Sequence, residues 1–302
     1  MPLASRLIDW PGVRANEPLA RHVQFGIGGP ADCYLEIAGW EPLRELLPLC
    51  AATDTAVTVI GAGSNALILD GGIAGLVIKM TGRRLRVIDP RTVELSGGSM
   101  LPRAALDCAQ LGMAGMEFGI GIPGTAGASV WGNAGAFGSE IKDVLIDCDV
   151  IGPDGDVRTY SAGECGFAYR RSRFRDALPR PIVVAARFQV RPDDPVDIRA
   201  RTDAVQADRK AAQPYGIRSL GSVFKNPPGD RAGRLVEAAG LKGRRAGGAE
   251  IATKHANFIV NRDHARATDV VALVDLAHDA VLERFGVELE REIIYLGRRV
   301  AD

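Results

Sequence analysis

The segment Phe118–Glu140, FGIGIPGTAGASVWGNAGAFGSE, most limits what this chain can fold into. It holds seven glycines between Gly119 and Gly138, and glycine is entropically costly in the interior of a helix or strand. Flexible linkers favour Gly and Ser, but this segment also contains large apolar residues such as Ile120 and Trp131. The sequence therefore predicts an ordered, packed loop whose glycines let a ligand approach the backbone closely.

A second glycine turn, Gly61–Asn65 (GAGSN), follows the apolar run Ala56–Gly61. Its backbone N–H groups and the side chains of Ser64 and Asn65 could contact phosphate oxygens, or the segment could be a plain turn between strands. It is neither a Walker A sequence nor GxGxxG. Two glycine turns in adjacent units favour one ligand with several phosphates or a long dinucleotide.

The cluster Tyr169–Phe174 (YRRSRF) crowds arginines between aromatic residues. Arginine suits the planar, bidentate recognition of a carboxylate. A solvated basic loop is the alternative interpretation, although the flanking aromatic residues favour partial burial, where a cation needs an anion as partner.

Two further polar motifs are Gly221–Pro227 (GSVFKNP) and Leu289–Ile294 (LEREII). In the first, an exposed serine hydroxyl would lie near a lysine and an asparagine that bind phosphate, or the motif is only a structural turn with a surface lysine. In the second, Glu290 and Glu292 would share one face if the segment is a strand. They would then polarise a substrate or simply face solvent.

Composition excludes several functional classes. The 302 residues contain 37 Lys plus Arg and 37 Asp plus Glu, and this zero net charge argues against nucleic-acid or membrane-surface binding. Five scattered cysteines without CxxC, and four histidines without HExxH, argue against a disulfide framework or a zinc site. With no secretory signal and no apolar stretch of about 20 residues, we expect a cytoplasmic protein without a metal or a membrane span.

Hydrophobic periodicity predicts an α+β chain in three parts, with a boundary at Pro192 and Pro195. The predicted helices cover 42–52, 101–111, 196–212, 231–239 and 268–285, with Gly286 as a C-cap. Helical spacing places Leu43, Leu46 and Leu47 on the apolar face of the first helix. It places Leu111 on that of the second helix and Leu282 and Phe285 on that of the last. The main predicted strands are 56–61, one in 92–97, two joined by a Pro-Asp-Gly turn in 143–160, 181–190, 257–261 and the terminal REIIYLG.

In this order, GAGSN, GIPGTAG…WGNAGAFG, YRRSRF, GSVFKNP, KHANFIVN and LEREI resemble the UDP-N-acetylenolpyruvoylglucosamine reductase family. The resemblance spans roughly Phe25 to Gly297. It implies an FAD-binding fold of the vanillyl-alcohol-oxidase (PCMH) type in two α/β subdomains, 18–80 and 81–192. A C-terminal α+β substrate-binding domain, 193–302, would follow, and a return of its last strand to the FAD-binding domain is left open.

The resemblance implies an enzyme, UDP-N-acetylmuramate dehydrogenase, in cytoplasmic peptidoglycan precursor synthesis. It would use NADPH and FAD to reduce UDP-N-acetylglucosamine enolpyruvate to UDP-N-acetylmuramate. Ser222 matches the proton donor, and Arg170 and Glu292 match the pair that stabilises the enolate-like carboxylate. The implied substrate contacts are Tyr169, Lys225 and Asn226, the last two near the diphosphate. The implied contacts to non-covalent FAD are Gly61, Ala62, Gly63, Ser64, Asn65, Gly121, Pro123, Gly124, Gly127 and Ala134.

Two departures and two rivals accompany the resemblance. Ala212 stands where relatives often carry lysine, so Lys210 is a candidate substitute, and a short segment after GSVFKNP indicates a compact subgroup without an inserted loop. One rival is an oxidase of the same fold with a histidine-linked flavin, but His22 lies outside both glycine turns. The other is a non-catalytic nucleotide-binding module, which the serine, arginine and glutamate at motif positions argue against. We expect a monomer.

Overall fold

The structure, a computed structural model, describes residues 7–300. Within them the chain forms two compact units, each assembled from separate stretches of sequence. Unit 1 comprises the residues up to Arg14, Tyr34–Ala62 and Gly75–Arg209. Unit 2 comprises Ala15–Cys33, Gly63–Ala74 and the residues from Lys210 onward.

The α-helices that we label are α1 Leu43–Ala52, α2 Leu101–Gln110, α3 Ala126–Gly132, α4 Arg173–Asp176, α5 Pro195–Ala212, α6 Ala232–Ala238 and α7 Ala267–Phe285. The strands are β1 Arg14–Pro18, β2 Pro30–Ile37, β3 Val57–Ile60, β4 Ala66–Ile68, β5 Ile73–Met80, β6 Leu85–Asp89, β7 Thr92–Ser96, β8 Met113–Ala114, β9 Gly135–Ala136, β10 Ser139–Glu140, β11 Leu145–Ile151, β12 Val157–Ser161, β13 Ile182–Gln189, β14 Arg191–Pro192, β15 Ser219–Ser222, β16 Arg245–Ala246, β17 Ala249–Ile251, β18 Phe258–Asn261 and β19 Ile294–Leu296.

The main sheet of unit 1 has five antiparallel strands in the order β12-β11-β13-β7-β6. Its central strand β13 is buried throughout its first three residues, alternates in burial after them, and pairs Ala186 with Leu95 of β7. Side chains from β7, α2, α3 and β13 form one buried apolar core. That core includes Val93, Leu95, Cys108, Val130 and Phe188.

A second sheet has the strand order β1-β2-β5-β3, with β3 and β5 parallel. Helix α1 precedes β3, and its four apolar residues at helical spacing are all buried: Leu43, Leu46, Leu47 and Cys50. Strand β3 is less buried than its apolar sequence predicts, because Val59 is 36% exposed. Along the chain, the ranges of the two units meet within β1, β2 and β5.

Unit 2 contains an antiparallel sheet, β15-β18-β17-β16, and the parallel pair β19 and β4. Helix α7 ends at Gly286, whose φ of 66° provides the left-handed C-cap expected from the sequence. The core of this unit includes Phe25, Leu67, Phe224, Leu235 and Val274.

The bounds of the predicted helices are confirmed to within two residues, but the predicted apolar faces of two helices are partly wrong. In α7 the buried side chains are Ala267, Val270, Leu273, Val274, Ala277 and Val281, a stripe at i, i+3, i+6, i+7, i+10 and i+14. Leu282 and Phe285, which the sequence placed on the apolar side, are 43% and 36% exposed. Leu111, predicted to end the apolar face of α2, lies beyond that helix and is 53% exposed.

Two local predictions are wrong. The glycine-rich segment is not wholly a loop, because it contains helix α3 and a 3-10 helix at Glu117–Gly121. Thr125 starts α3 by accepting a hydrogen bond from the N–H of Ala128 at 3.4 Å. The last strand, predicted over REIIYLG, is shorter than expected, since β19 covers only Ile294–Leu296 and leaves Glu290 and Glu292 outside it.

Candidate active site

The turn Gly61–Asn65 follows β3 and offers unpaired backbone donors. Within residues 7–300, the N–H groups of Gly61, Ala62, Gly63 and Ser64 have no hydrogen-bond partner. Gly63 adopts φ of +63°, a left-handed conformation that glycine tolerates best. Consecutive free N–H groups suit phosphate oxygens, so this turn fits a group such as the pyrophosphate of a dinucleotide.

Contacts within the protein also require glycine in the turn Gly61–Asn65 and in the segment Phe118–Glu140. A Cβ on Gly61 would lie 2.5 Å from Thr125 Oγ1, and a Cβ on Gly121 would lie 2.9 Å from the ring of Phe137. A Cβ on Gly127 would lie 2.6 Å from the carbonyl oxygen of Val183. The sequence argument that ligand approach explains the glycines is therefore incomplete, because neighbouring protein atoms already occupy the space beside them.

Three further predicted cofactor contacts, Gly63, Gly124 and Ala134, also have neighbours within the protein. Gly63 leaves space for Val23, which a Cβ would approach to 2.5 Å. Gly124 accepts a hydrogen bond from the N–H of Leu101 at 3.0 Å and follows the half-buried Pro123. Ala134 is half-buried, and its N–H donates to the carbonyl oxygen of Ser129 at 2.9 Å.

Asn133 ends helix α3 and was not predicted as a site residue. It is fully buried and left-handed, with φ of 43°. Its Nδ2 donates to Glu140 Oε2 at 3.1 Å and to the carbonyl oxygen of Ala168 at 3.0 Å, and its Oδ1 accepts the N–H of Lys142 at 3.1 Å. The asparagine in WGNAG was a visible signal, since Asn is favoured in left-handed helix caps.

Arg170 lies in a tight turn in which Ala168 and Arg171 exchange backbone hydrogen bonds of 3.0 Å. Its φ of 55° is unusual for a residue with a long side chain, and such strain is often found at functional positions. The guanidinium donates to the carbonyl oxygen of Gly135 at 3.1 Å and lies 3.7 Å from Glu140 Oε1. It also stacks over the ring of Tyr169, 5.0 Å from its centroid.

The YRRSRF segment is fixed to helix α3 by polar contacts. Ser172 Oγ donates to the carbonyl oxygen of Trp131 at 2.6 Å, and Trp131 Nε1 donates to the carbonyl oxygen of Phe174 at 3.1 Å. Ser172 and Phe174 are buried, at 1% and 2% exposed. The glycine-rich segment and the arginine cluster, which are separate motifs in the sequence, are therefore one ordered region of unit 1.

Ser222 lies at an irregularity in strand β15. The pairing of β15 with β18 shifts register between Ser219 and Ser222, and Gly221 adopts φ of 74°. Such a bulge with a left-handed glycine redirects the side chain that follows it. The Ser222 hydroxyl, which is half-buried, has no hydrogen-bond partner in the part of the chain that the structure describes.

Asn257, from the KHANFIVN motif, fixes the residues that follow Ser222. Its Oδ1 accepts the N–H of Phe224 at 2.9 Å, and its Nδ2 donates to the Phe224 carbonyl oxygen at 2.8 Å. Its own carbonyl oxygen accepts the N–H of Val223 at 2.8 Å. Asn257 is 3% exposed, so these bonds are shielded from water and hold the GSVFKNP segment in one conformation.

The segment with Glu290 and Glu292 runs beside GSVFKNP. The N–H of Glu292 donates to the carbonyl oxygen of Val223 at 2.8 Å, and the N–H of Lys225 donates to the carbonyl oxygen of Glu290 at 2.8 Å. The side chain of Asn65 donates to the Glu292 carbonyl oxygen at 3.2 Å. Unit 2 thus brings together Asn65, Ser222, Lys225 and Glu292, which come from three separate motifs.

Lys225 and Asn226, the predicted diphosphate contacts, both have partners in the protein. Lys225 Nζ forms an ion pair with Glu290 Oε1. Asn226 Oδ1 accepts the N–H of Ala232 at 3.1 Å at the start of helix α6. Lys210, considered as a substitute for the lysine replaced by Ala212, lies with its ammonium 5.0 Å from the ring centroid of Tyr215.

Other candidate chemistry is not found in the described residues. Between residues 7 and 300, no cluster of His, Cys, Asp and Glu side chains could hold a metal ion. No helix there is long and apolar enough to cross a bilayer. All five cysteines are buried and form no disulfide among the described residues. Burial raises the pKa of Cys108 to about 12, so this thiol is a poor nucleophile at neutral pH.

Comparisons with known proteins cover nearly the whole chain. Residues 31–161 match the FAD binding domain, and residues 213–296 match the UDP-N-acetylenolpyruvoylglucosamine reductase, C-terminal domain. A UDP-N-acetylenolpyruvoylglucosamine reductase 2 of Symbiobacterium thermophilum is 43% identical, covering 97% of this chain and 96% of the relative. A reductase of Chloroflexus aggregans is 41% identical, covering 93% and 96%.

Among solved structures, the UDP-N-acetylenolpyruvylglucosamine reductase of Thermus caldophilus is similar, with a TM-score of 0.80 and 35% sequence identity. The similarity covers 94% of this chain and 98% of that one. Together with the two matched domains, it confirms the fold expected from the sequence, an FAD-binding domain followed by a C-terminal domain of mixed α and β structure. The chain therefore belongs to the UDP-N-acetylenolpyruvoylglucosamine reductase family.

Proposed function

We propose that this chain reduces the enolpyruvyl double bond of UDP-N-acetylglucosamine enolpyruvate and so forms UDP-N-acetylmuramate, a peptidoglycan precursor. Family membership supports the reaction, and the matched FAD binding domain supports the cofactor. The observation that carries the proposal is the Ser222 hydroxyl. It follows a left-handed glycine, has no protein partner within residues 7–300, and precedes a segment hydrogen-bonded to the Glu292 backbone.

FAD, when bound, accepts a hydride from NADPH and supplies a hydride to the substrate alkene. The free N–H groups of the Gly61–Asn65 turn would hold it, together with backbone from Gly121, Pro123, Gly124, Gly127 and Ala134. In this proposal the FAD is non-covalent. The sequence supports that assignment, because neither glycine segment, 61–65 or 118–140, contains a histidine that could carry a covalent link.

In the proposed mechanism Ser222 donates its proton to the substrate carbon that bears the carboxylate. That carbon becomes carbanion-like when the hydride reaches the other end of the double bond. A serine hydroxyl is a weak acid in water, so its donation depends on the basicity of the carbanion and on close placement. The bulge at Gly221 and the hydrogen bonds of Asn257 support such placement, because they restrict the backbone on both sides of the hydroxyl.

Arg170 and Glu292 are proposed to stabilise the negative charge that builds up on the substrate carboxylate. Groups that interact more strongly with the transition state than with the ground state increase the rate. The guanidinium of Arg170 is held by the Gly135 carbonyl oxygen, by Glu140 and by the ring of Tyr169. Such support reduces the reorganisation needed during the reaction, which favours an electrostatic role.

The finer assignments also belong to the proposal. Tyr169, Lys225 and Asn226 contact the substrate, the last two near its diphosphate. Residues 18–80 and 81–192 are assigned to FAD and residues 193–302 to the substrate, with the matches at 31–161 and 213–296 in support. We also propose that the protein is cytoplasmic and monomeric, as the resemblance to the family implies.

Anaerobic turnover with each substrate added separately tests the proposal. The purified protein should be yellow, should release FAD on acid denaturation, and should lose its colour with NADPH. The colour should return anaerobically on addition of the enolpyruvyl sugar nucleotide. Recovery only with oxygen would indicate an oxidase, and a colourless protein that cannot be reconstituted with FAD would indicate a nucleotide-binding module instead.

A further inference from the structure

We propose that Glu290 is an internal counter-ion of Lys225 that the diphosphate of the substrate displaces, so that Glu290 lowers the affinity of this position for weaker anions. This inference rests on the proposed function, in which Lys225 contacts the diphosphate. It assigns Glu290 a positioning and specificity role, which differs from a role in the chemical step.

The two side chains of this pair differ strongly in exposure. The side chain of Lys225 is 16% exposed, whereas that of Glu290 is 72% exposed. The ammonium is therefore largely enclosed by protein, while the carboxylate reaches it from the water side. An anion from solvent would approach Lys225 from the same direction and compete with the Glu290 carboxylate.

The backbones of the two residues are fixed to each other. The N–H of Lys225 donates to the carbonyl oxygen of Glu290 at 2.8 Å, and the adjacent residues Phe224 and Arg291 form an isolated antiparallel bridge. Displacement of the carboxylate therefore needs only rotation of an exposed side chain, with no movement of the main chain. Exposed side chains rotate on a picosecond to nanosecond timescale, much faster than turnover.

Charge explains why this exchange selects among anions. A carboxylate bears one negative charge, whereas a nucleoside diphosphate bears two or three and offers more acceptor oxygens. Exposed ion pairs are individually weak, so a diphosphate can displace Glu290 while a monoanion gains little by doing so. Specificity of this kind arises from a penalty that falls mainly on the weaker competitor.

The test is the Kd of UDP and of inorganic phosphate for the FAD-loaded enzyme, measured by isothermal titration calorimetry. Glu290→Gln keeps the size of the side chain and removes its charge. We expect UDP to bind about 2- to 5-fold more tightly to this variant, the range expected for loss of an exposed ion pair. Inorganic phosphate, the weaker competitor, should gain more than UDP, and both gains should shrink at high ionic strength.

Glu288→Gln provides the matched control. Glu288 is exposed, lies two residues away, and has no ion-pair partner within the described chain. This variant changes the net charge equally and should leave both Kd values within about 1.5-fold of wild type, since exposed charges without a close partner contribute little. In a Lys225→Met background, Glu290→Gln should no longer tighten UDP binding, because the two effects are coupled through contact.

Unchanged or weaker UDP binding by Glu290→Gln, or a gain for inorganic phosphate no larger than that for UDP, would overturn the inference while leaving the proposed function intact. An equal gain in Glu288→Gln would also overturn it, because the effect would then be one of net charge. Absence of UDP binding to the wild-type holoenzyme would reject both the inference and the proposed substrate.

Discussion

The side-chain amide of Asn65 donates a hydrogen bond of 3.2 Å to the main-chain carbonyl oxygen of Glu292, across 227 residues of sequence. In return, the N–H of Ile294 donates to the carbonyl oxygen of Asn65 at 3.0 Å. Strand β19 then continues parallel to β4 from this point. The main chain at Glu292 is thus held by Asn65, a residue that the resemblance assigned to cofactor binding.

Asn65→Ala should therefore slow the step that Glu292 supports. Without the amide, the backbone at Glu292 loses one anchor, and small displacements of catalytic groups can reduce rates by about 10- to 100-fold. The measurement is stopped-flow reoxidation of the reduced flavin by the enolpyruvyl substrate, at saturating FAD. Reoxidation at the wild-type rate would show that Asn65 does not position Glu292.

Ser222→Ala should retain bound FAD and its reduction by NADPH but lose rapid reoxidation by the enolpyruvyl substrate. Loss of a positioned proton donor reduces a rate by about 10²- to 10⁴-fold. Ser219→Ala is the control, because Ser219 lies in the same strand and pairs with Val260. If Ser222→Ala reoxidises as quickly as this control, another group donates the proton.

Gly127→Ala and Gly132→Ala should have opposite effects on stability, although both residues lie in helix α3. A Cβ at Gly127 would lie 2.6 Å from the Val183 carbonyl oxygen, whereas a Cβ at Gly132 would have no atom within 4 Å. We expect the free energy of unfolding to fall by about 2 kcal/mol for the first variant and to rise by about 0.5 kcal/mol for the second. Urea denaturation followed by fluorescence measures both, and equal effects would contradict the contact.

Stability should fall as pH is lowered, in part through His255. Burial lowers the pKa of His255 below its usual value of 6.5, and its Nδ1 accepts the N–H of Asn257 at 3.2 Å. The unfolded chain therefore takes up a proton near pH 6.5 while the folded chain does not. The contribution of His255 to stability is complete above pH 6.5 and is lost progressively as pH falls from there through the lower, folded-state pKa.

The measurement for His255 is the free energy of unfolding at a series of pH values between 8 and about 5, where the unfolded histidine titrates. His255→Gln should flatten this dependence. His264→Gln is the control, because His264 is exposed and should leave the dependence as in the wild type. A dependence that is equally steep in His255→Gln would assign it to other groups.

Local patterns in the sequence predicted most helices because periodicity is a property of neighbouring residues. The apolar spacing of Leu43, Leu46 and Leu47 was sufficient to place α1. The same reasoning failed for Leu282 and Phe285, because the choice of buried face depends on what the helix packs against. It also failed for α3, where the backbone of β13 comes so close that only glycine fits at position 127.

The candidate site was predictable where motifs carry distinctive residue types, and less so where distant residues support them. The resemblance to known reductases singled out Ser222, Arg170 and Glu292. The supporting roles of Asn133 and Asn257 depend on hydrogen bonds to residues 35 and 33 positions away, respectively. Partners at that separation cannot be identified from a single sequence. A lone asparagine among glycines or apolar residues nevertheless indicates that its side chain forms specific hydrogen bonds.

The interleaving of the two units along the chain has a practical consequence for anyone dividing the gene. The core of unit 2 includes Phe25 and Leu67, and β19 pairs with β4, although these partners are encoded well before Lys210. A fragment beginning at Lys210 would lack those side chains and that neighbouring strand. The C-terminal third is therefore not expected to fold by itself. A chimera with a related enzyme would have to include the stretches Ala15–Cys33 and Gly63–Ala74 as well.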